Sequence, residues 1–415
     1  MTSAPPPAPP LGAAVIVRVF APFAIGYFLS YVYRTVNAVI GPELARELGL
    51  GAESLGLLTG AYFLTFAAFQ LPLGVLLDRF GPRRVEAALL VIAALGAAAF
   101  AMADSLATLT IARGLIGLGV SACLMAGFKA FVVWLPKDRL PLANGALLAF
   151  GATGALAATA PAEAALDVIG WRGLFAGLAG ATVIAAAVLL VVVPERPRVG
   201  TPERFADQLG GMGAIARSRL FWRYAPLLGT LHGGFLALQS LWAGPWLRDV
   251  AGLARAEVAD VLLLAAAAMI ASALGIGWAA TRLTRLGVAL PTIVAVGSAA
   301  LLVVEVCLVF GIGAGTPWLP WTAFGLCGGF PALMFPAVTQ GFPVAMAGRA
   351  VTSLNLFLFA GAFVLQYAIG WVIDLFPASA AGGYEPRSYT AALGALWLLQ
   401  AAAFAWFLIG GRRAP

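Results

Sequence analysis

The sequence predicts an all-α integral membrane protein, with twelve transmembrane helices in two pseudo-symmetric six-helix bundles. Three observations predict it. The 415 residues are 62% hydrophobic and only 10% charged, with a mean hydropathy of +0.96, and no soluble fold hides that much apolar surface. Twelve stretches approach the ~20 apolar residues a helical span needs: 14–40, 54–77, 85–103, 106–135, 140–165, 171–193, 223–247, 257–280, 288–311, 317–344, 350–375 and 389–410. The longest polar interval, PERPRVGTPERFADQLGGMGAIARSRLFW at 194–222, divides them six and six. The expected organisation is a tail at 1–13, a bundle at 14–193, a cytoplasmic linker at 194–222 and a second bundle at 223–411.

Lys and Arg set the orientation. Taking loops alternately, one side collects Arg18, Arg79, Arg83, Arg84, Lys137, Arg139, Arg196, Arg198, Arg204, Arg217, Arg219, Arg223, Arg282, Arg285, Arg349, Arg412 and Arg413. The other collects Arg46, Arg172, Arg248, Arg255 and Arg387. Seventeen against five predicts that both termini lie in the cytoplasm, in a bacterial-type inner membrane. The net charge of +7 is then a topology signal and does not point to nucleic acid.

In chain order, MTSAPPPAPP is too Pro-rich for a helix and lacks a charged n-region, so it reads as a short disordered tail ahead of a retained first span. Span 1 places Tyr27, Tyr31 and Arg34 at i, i+4 and i+7, on one helix face. Facing lipid, Arg34 would cost roughly 2.5–3.5 kcal/mol, so a water-filled cavity is its expected surrounding. Tyrosines beside an Arg suit a carboxylate, because the guanidinium fork binds bidentately.

The turn after span 2 reads GVLLDRFGPRR. Gly74 and Gly81 permit close approach and a tight turn, and Asp78 can pair with Arg79, Arg83, Arg84 or a helix end to latch the cytoplasmic side. The plainer reading is positive-inside charge with a stop at Gly81-Pro82. Span 4 carries Arg113 seven residues after Leu106, and Arg34 lies seven before Gly41. At 1.5 Å per residue both sit about 10 Å inside the periplasmic boundary. Lys129, six residues before Leu135, either contacts substrate or snorkels.

Span 7 places His232, Gln239, Trp242 and Trp246 at spacings of seven, three and four. This is a cavity face or, for the tryptophans, an interfacial belt. His232, the only histidine, either couples protons or is satisfied by a neighbouring helix. Gln340, Asn355 and Gln366 are weaker polar candidates on spans 10 and 11. Glu163, Asp260 and Glu305 are the acids available for coupling. Cys123, Cys307 and Cys327 fall inside spans and read as packing residues. A faint repeat, GWAATRLTRLG from Gly277, stands 203 residues after the first turn, as in transporters built from internal repeats.

GVLLDRFGPRR resembles the loop between helices 2 and 3 of the major facilitator superfamily, Gly-x-Leu-x-Asp-Arg-x-Gly-Arg-Arg/Lys. IARGLIGLGV at 111–120 is similar to its helix-4 motif, and GWRGLF at 170–175 to its helix-6 entry. The resemblance implies that helices 1, 4 and 5 line a central cavity, which makes Glu163 a counter-ion to Arg34 and Arg113 and the coupling candidate. YVYRTVNAVIGPEL resembles the Tyr-x-x-Arg-x-x-Asn pattern of the anion:cation symporter branch, where the Arg is implicated in binding an organic anion. The departures are Val32-Tyr33, where that branch often carries an acid, and Thr281, which replaces the acid in the second-half loop.

The expected function is secondary active transport of a small organic anion by alternating access, as ion-coupled import. The alternative is a proton-coupled efflux antiporter for amphipathic compounds. The helix-5 region GATGALAATAPAEAAL keeps Pro161 but has Ala160, Ala164 and Ala165 where that motif carries glycines. A phosphate-binding loop, a Cys/His cluster and a nucleophile–base set are all missing from the sequence. It is therefore read as neither an enzyme nor a metal carrier, with no cofactor. The expected partners are an anionic small molecule, H+ or Na+, and the lipid bilayer, with the chain as a monomer.

Overall fold

The computed structural model describes residues 16–136, 139–195, 205–379 and 383–411. The tail expected at 1–13 and the linker stretch 196–204 lie outside the described residues. So do Lys137, Arg196, Arg198, Arg204, Arg412 and Arg413 of the charge asymmetry.

The described chain is helical apart from one isolated bridge, Ala378 to Tyr384. Before the linker run α1 (Ala21–Thr35), α2 (Asn37–Leu48), α3 (Ala52–Phe80), α4 (Pro82–Ala101), α5 (Leu106–Val120), α6 (Cys123–Trp134), α7 (Leu140–Ala157) and α8 (Ala160–Val192). The linker itself forms α9 (Phe205–Ala216). After it come α10 (Arg219–Leu227), α11 (Gly233–Ala237) and α12 (Ala243–Asp249), separated by π turns at Leu228–His232 and Leu238–Trp242. Then follow α13 (Arg255–Arg285), α14 (Leu290–Phe310), α15 (Trp318–Cys327), α16 (Met334–Thr339), α17 (Val344–Asp374) and α18 (Pro386–Gly411).

Local chemistry sets the breaks. Gly81 takes φ +81° between α3 and α4, a conformation L side chains rarely adopt, and Pro82 then fits the first helical position. Ser105 caps α5 in a reciprocal box with Thr108. Gly170, at φ +62°, turns the chain inside α8 where spans 5 and 6 were expected to part.

Nine helices among the described residues are long and apolar enough to cross a membrane. The expected spans 1, 5 and 7 are not among those nine, and interruptions fall in them at Val36, at Ala158–Thr159 and at the two π turns. Large apolar side chains such as Leu95, Ile111, Val168, Val191 and Val303 stand exposed on the outside, the exterior a bilayer requires.

Within the first half α4 packs on α5 and α8, and α1 on α7; within the second, α13 packs on α15 and α14 on α18. The halves meet chiefly along α3 and α17, and again where α7 meets α13, while α9 lies against α17 and α3. The face carrying α9 and the turn at Gly81 is called the linker end below. The face carrying Gly51, Gly170 and Gly252 is the far end.

Candidate substrate site

Tyr27, Tyr31 and Arg34 come together on α1. The two tyrosine rings meet edge-on at 5.2 Å, and Arg34 Cζ lies 4.7 Å from the Tyr31 centroid. Arg34 also reaches Phe66 at 5.7 Å and Phe359 at 5.6 Å. Those two rings are 4.2 Å apart across the α3–α17 seam, so Arg34 stands where the halves touch. It is 6% exposed, and its Nε has no hydrogen-bond partner.

Arg113 is completely buried, and Nε and both Nη atoms lack hydrogen-bond partners. Its Cζ lies 5.1 Å from the Tyr62 centroid. Gly117, one turn further along α5, allows this. A Cβ there would fall 2.2 Å from the Tyr62 carbonyl oxygen, so a larger residue would push α5 off α3. The Tyr62 hydroxyl donates to the Ser30 carbonyl at 3.3 Å, and Arg34 acts on Tyr62 electrostatically. One ring therefore joins both arginines. Tyr33, on the other side of α1, is tied to Thr182 at 2.9 Å.

The energetics of these arginines do not close. A cation over an aromatic face gains up to ~2 kcal/mol when desolvated, while taking an ion out of water costs several. Among the described residues neither arginine has a carboxylate partner. A bound anion would supply what is missing.

Glu163 is not that partner. It is held by Arg255 of α13 at 2.5 Å, together with Glu43 at 3.5 Å and Asp167 at 3.6 Å. Glu163 stands near the start of α8, where it meets the second half and not the buried face of α1. Lys129 likewise lies apart from the two arginines, ion-paired to Asp78 between α6 and α3. That pairing also corrects the expected loop chemistry. Arg83 and Arg84 lie beyond the Gly81 turn and pair with Glu195, with Arg83 also donating to the Leu190 carbonyl. Arg79 lies over Phe80. Gly74 sits half-buried on α3. These loop contacts stay within the first half and the start of the linker, and none reaches the second half. In the second half the Thr281 hydroxyl donates to Gly277 of its own helix.

The span-7 residues diverge. His232 ends a π turn close enough to Arg34 to feel its charge, and its Nδ1 is unpartnered. Gln239 donates to Met269 Sδ at 3.1 Å, whereas Trp242 is fully buried and donates to the Gln366 carbonyl at 3.3 Å. Trp246 donates to the Leu308 carbonyl at 3.0 Å. Both indoles are thus committed to helix packing. Glu305 accepts from Gln400 at 3.2 Å between α14 and α18, and Asp260 is exposed.

Two cavities lie along the seam. A vestibule of about 880 Å³ at the far end is lined by Ala38, Glu43, Arg46, Glu163, Arg248 and Arg255, among others. A cavity of about 30 Å³, room for one water, lies between Thr35, Ala38 and Thr159 of the first half and Gln239 and Phe324 of the second. Ala38 borders both, and there α12 pinches the way: a Cβ on Gly244 would fall 2.2 Å from the Ala38 carbonyl oxygen. Around the vestibule the halves are also tied by Asp374. Its carboxylate accepts from the Ala52 and Glu53 amides at 2.9 and 2.7 Å, capping α3 from the end of α17. Tyr367 adds a hydrogen bond to Glu53.

The sequence model of the Major Facilitator Superfamily matches residues 23–366. The chain belongs to that superfamily. It is 28% identical over 149 residues to a probable sulfoacetate transporter of Cupriavidus necator, covering 36% of this chain and 35% of that protein. To the hexuronate transporter of Escherichia coli it is 28% identical over 174 residues, covering 42% and 40%. A probable nitrate/nitrite antiporter of Thermus thermophilus matches at 28% over 260 residues, covering 59% and 56%. The matches thus span well under two thirds of these relatives' lengths. Among solved structures, the nucleoside transporter NupG superposes with a TM-score of 0.74 at 13% identity, covering 94% of this chain and 98% of that one. An inward-facing bacterial homologue of the human lysosomal transporter Spinster superposes at 0.71 and 16%, covering 95% and 96%. These likenesses show the fold. The chain accordingly has the helical membrane fold of that superfamily.

Proposed function

We propose that this protein carries a small organic anion across the inner membrane by alternating access, as ion-coupled import. The observation behind it is the pair of arginines around Tyr62, buried and without an acid. Arg34 and Arg113 would grip the anion, Tyr27 and Tyr31 would wall it, and His232 and Gln239 would face it from the second half. Sulfoacetate and hexuronate, the cargoes for which two relatives are named, are anions of this kind.

On this reading twelve spans form bundles at 14–193 and 223–411, joined by the linker at 194–222, with the linker end in the cytoplasm, a placement the seventeen-to-five asymmetry supports. The Asp374 cap, the Arg255 cluster and the Gly244 pinch then close the periplasmic side. Asp78–Lys129, with Arg83 and Arg84 on Glu195, then braces the linker end of the first half around Gly74, Arg79 and Gly81.

Uptake of a labelled carboxylate panel into proteoliposomes, under imposed pH or Na+ gradients, tests the proposal. Gradient-driven accumulation of at least one anion is expected. Transport confined to cationic or neutral amphipaths would overturn it.

A further inference from the structure

We infer that Glu86 is a proton-binding site, holding the neutral carboxylic acid in this conformation and releasing its proton to the linker side when α1 and α4 separate. Glu86 is fully buried on α4, and neither carboxylate oxygen has a hydrogen-bond partner. It presses on α1 at Gly26, where a Cβ would stand 2.2 Å from Oε1. Only a glycine there leaves room for the carboxyl.

The charged groups of the surrounding elements sit away from Glu86. On α1 and α5, Arg34 lies over Tyr31 and Arg113 over Tyr62. On α3 and α6, Asp78 holds Lys129. On α8, Glu163 and Asp167 meet Arg255, and Arg172 meets Glu47. On α4 itself, Arg83 and Arg84 hold Glu195. The titratable neighbour of Glu86 is the Cys123 thiol, a weak donor whose geometry satisfies neither oxygen. A site with no cation and only a weak thiol donor rejects the ionised carboxylate and accepts the acid.

Position gives this acid a use. Glu86 is four residues from Pro82, about 6 Å along the helix from the linker end, so separation of α1 and α4 opens a short path to water there. It also abuts the residue preceding Tyr27, and Cys123 feels both Glu86 and Arg34. Movement of the arginine-bearing helix therefore uncovers the acid. The step is a simple ionisation: the carboxyl O–H bond breaks, the proton passes to entering water, and a hydrated carboxylate remains until it is reprotonated.

The inference rests on the transport reading only for the use made of the proton, so two measurements separate them. Infrared spectra of the reconstituted protein should show a protonated-carboxyl C=O band that is lost in Glu86→Gln and kept in Glu305→Gln. In proteoliposomes Glu86→Gln should still exchange internal for external anion, yet under a pH gradient should accumulate it no further than equilibration. Should Glu86→Gln fail to insert, Glu86→Asp must keep both the band and the accumulation. A band indifferent to Glu86→Gln, or undiminished pH-driven accumulation in that variant, would overturn the assignment. If the wild type moves no anion, the infrared result still decides Glu86, and the transport reading fails alone.

Discussion

Arg113 and Arg255 are the same side chain under opposite conditions. Arg255 is half exposed at the far end and is surrounded by Glu163, Glu43 and Asp167. Arg113 is fully buried at the centre and has none. Exposed pairs gain little because water already solvates them, while a buried unpaired ion is a standing penalty. The difference separates two uses of charge. On the proposed reading, charge at the rim joins two halves weakly enough to be undone, and charge at the centre is left for a ligand.

The largest effects should come from the centre. Arg34→Lys would remove the proposed bidentate contact and should weaken anion binding by about 1.5–3 kcal/mol, roughly 10- to 150-fold in Kd by calorimetry. Arg113→Met should abolish binding yet raise the melting temperature of the empty protein, because replacing a buried ion by an apolar side chain is often neutral or stabilising by ~1–4 kcal/mol. A lower melting temperature with unchanged affinity would make Arg113 a structural residue and erase the contrast with Arg255.

At the far end the helix cap should outweigh the ion cluster. Asp374→Ala removes a carboxylate from the start of α3, worth ~0.5–2 kcal/mol, and should shift the population toward a far-end-open state by up to about 30-fold. Labelling of Ala38→Cys by a membrane-impermeant thiol reagent added from the far side would report it. Unchanged labelling would show that the cap does not hold the halves. Arg255→Gln should act in the same direction by at most ~1 kcal/mol, and less in high salt.

The smallest effect belongs to Glu47, which stays inside the first half. Trp171 donates to it at 2.7 Å and Arg172 pairs with it, and together they hold its carboxyl below the usual carboxylate range. Because the unfolded chain then binds the proton more readily, this contribution is present above the ordinary carboxylate pKa and fades as pH falls through the lowered one. Glu47→Gln should therefore melt slightly earlier than wild type at neutral pH and together with it in acid. A gap that persists in acid would assign the effect to packing.

The sequence disclosed what depends on local spacing and hid what depends on partners. The Tyr27–Tyr31–Arg34 face survives because α1 is regular across it. The His232–Gln239–Trp242 face does not, because π turns at Leu228–His232 and Leu238–Trp242 alter the register on which a 3.6-residue count relies. The partners of Glu163 and Asp78 were not legible, since Arg255 and Lys129 are distant in the chain and only packing brings them close. Tyr62 and Phe359 carried no signal, being aromatics in apolar spans. Glu86 did carry one: it stands inside the third apolar stretch, but the arginines just before it make it read as loop charge.

The unpaired arginines also have an electrical consequence. Carrying one elementary charge across the whole membrane potential involves about 2.3 kcal/mol per 100 mV, and a rocking half moves its charges through some fraction of that field. A carrier loaded with an anion that offsets Arg34 and Arg113 presents less net charge to the field than an empty one. On the proposed reading, the empty return stroke, and not the loaded one, is then the step on which voltage acts most strongly.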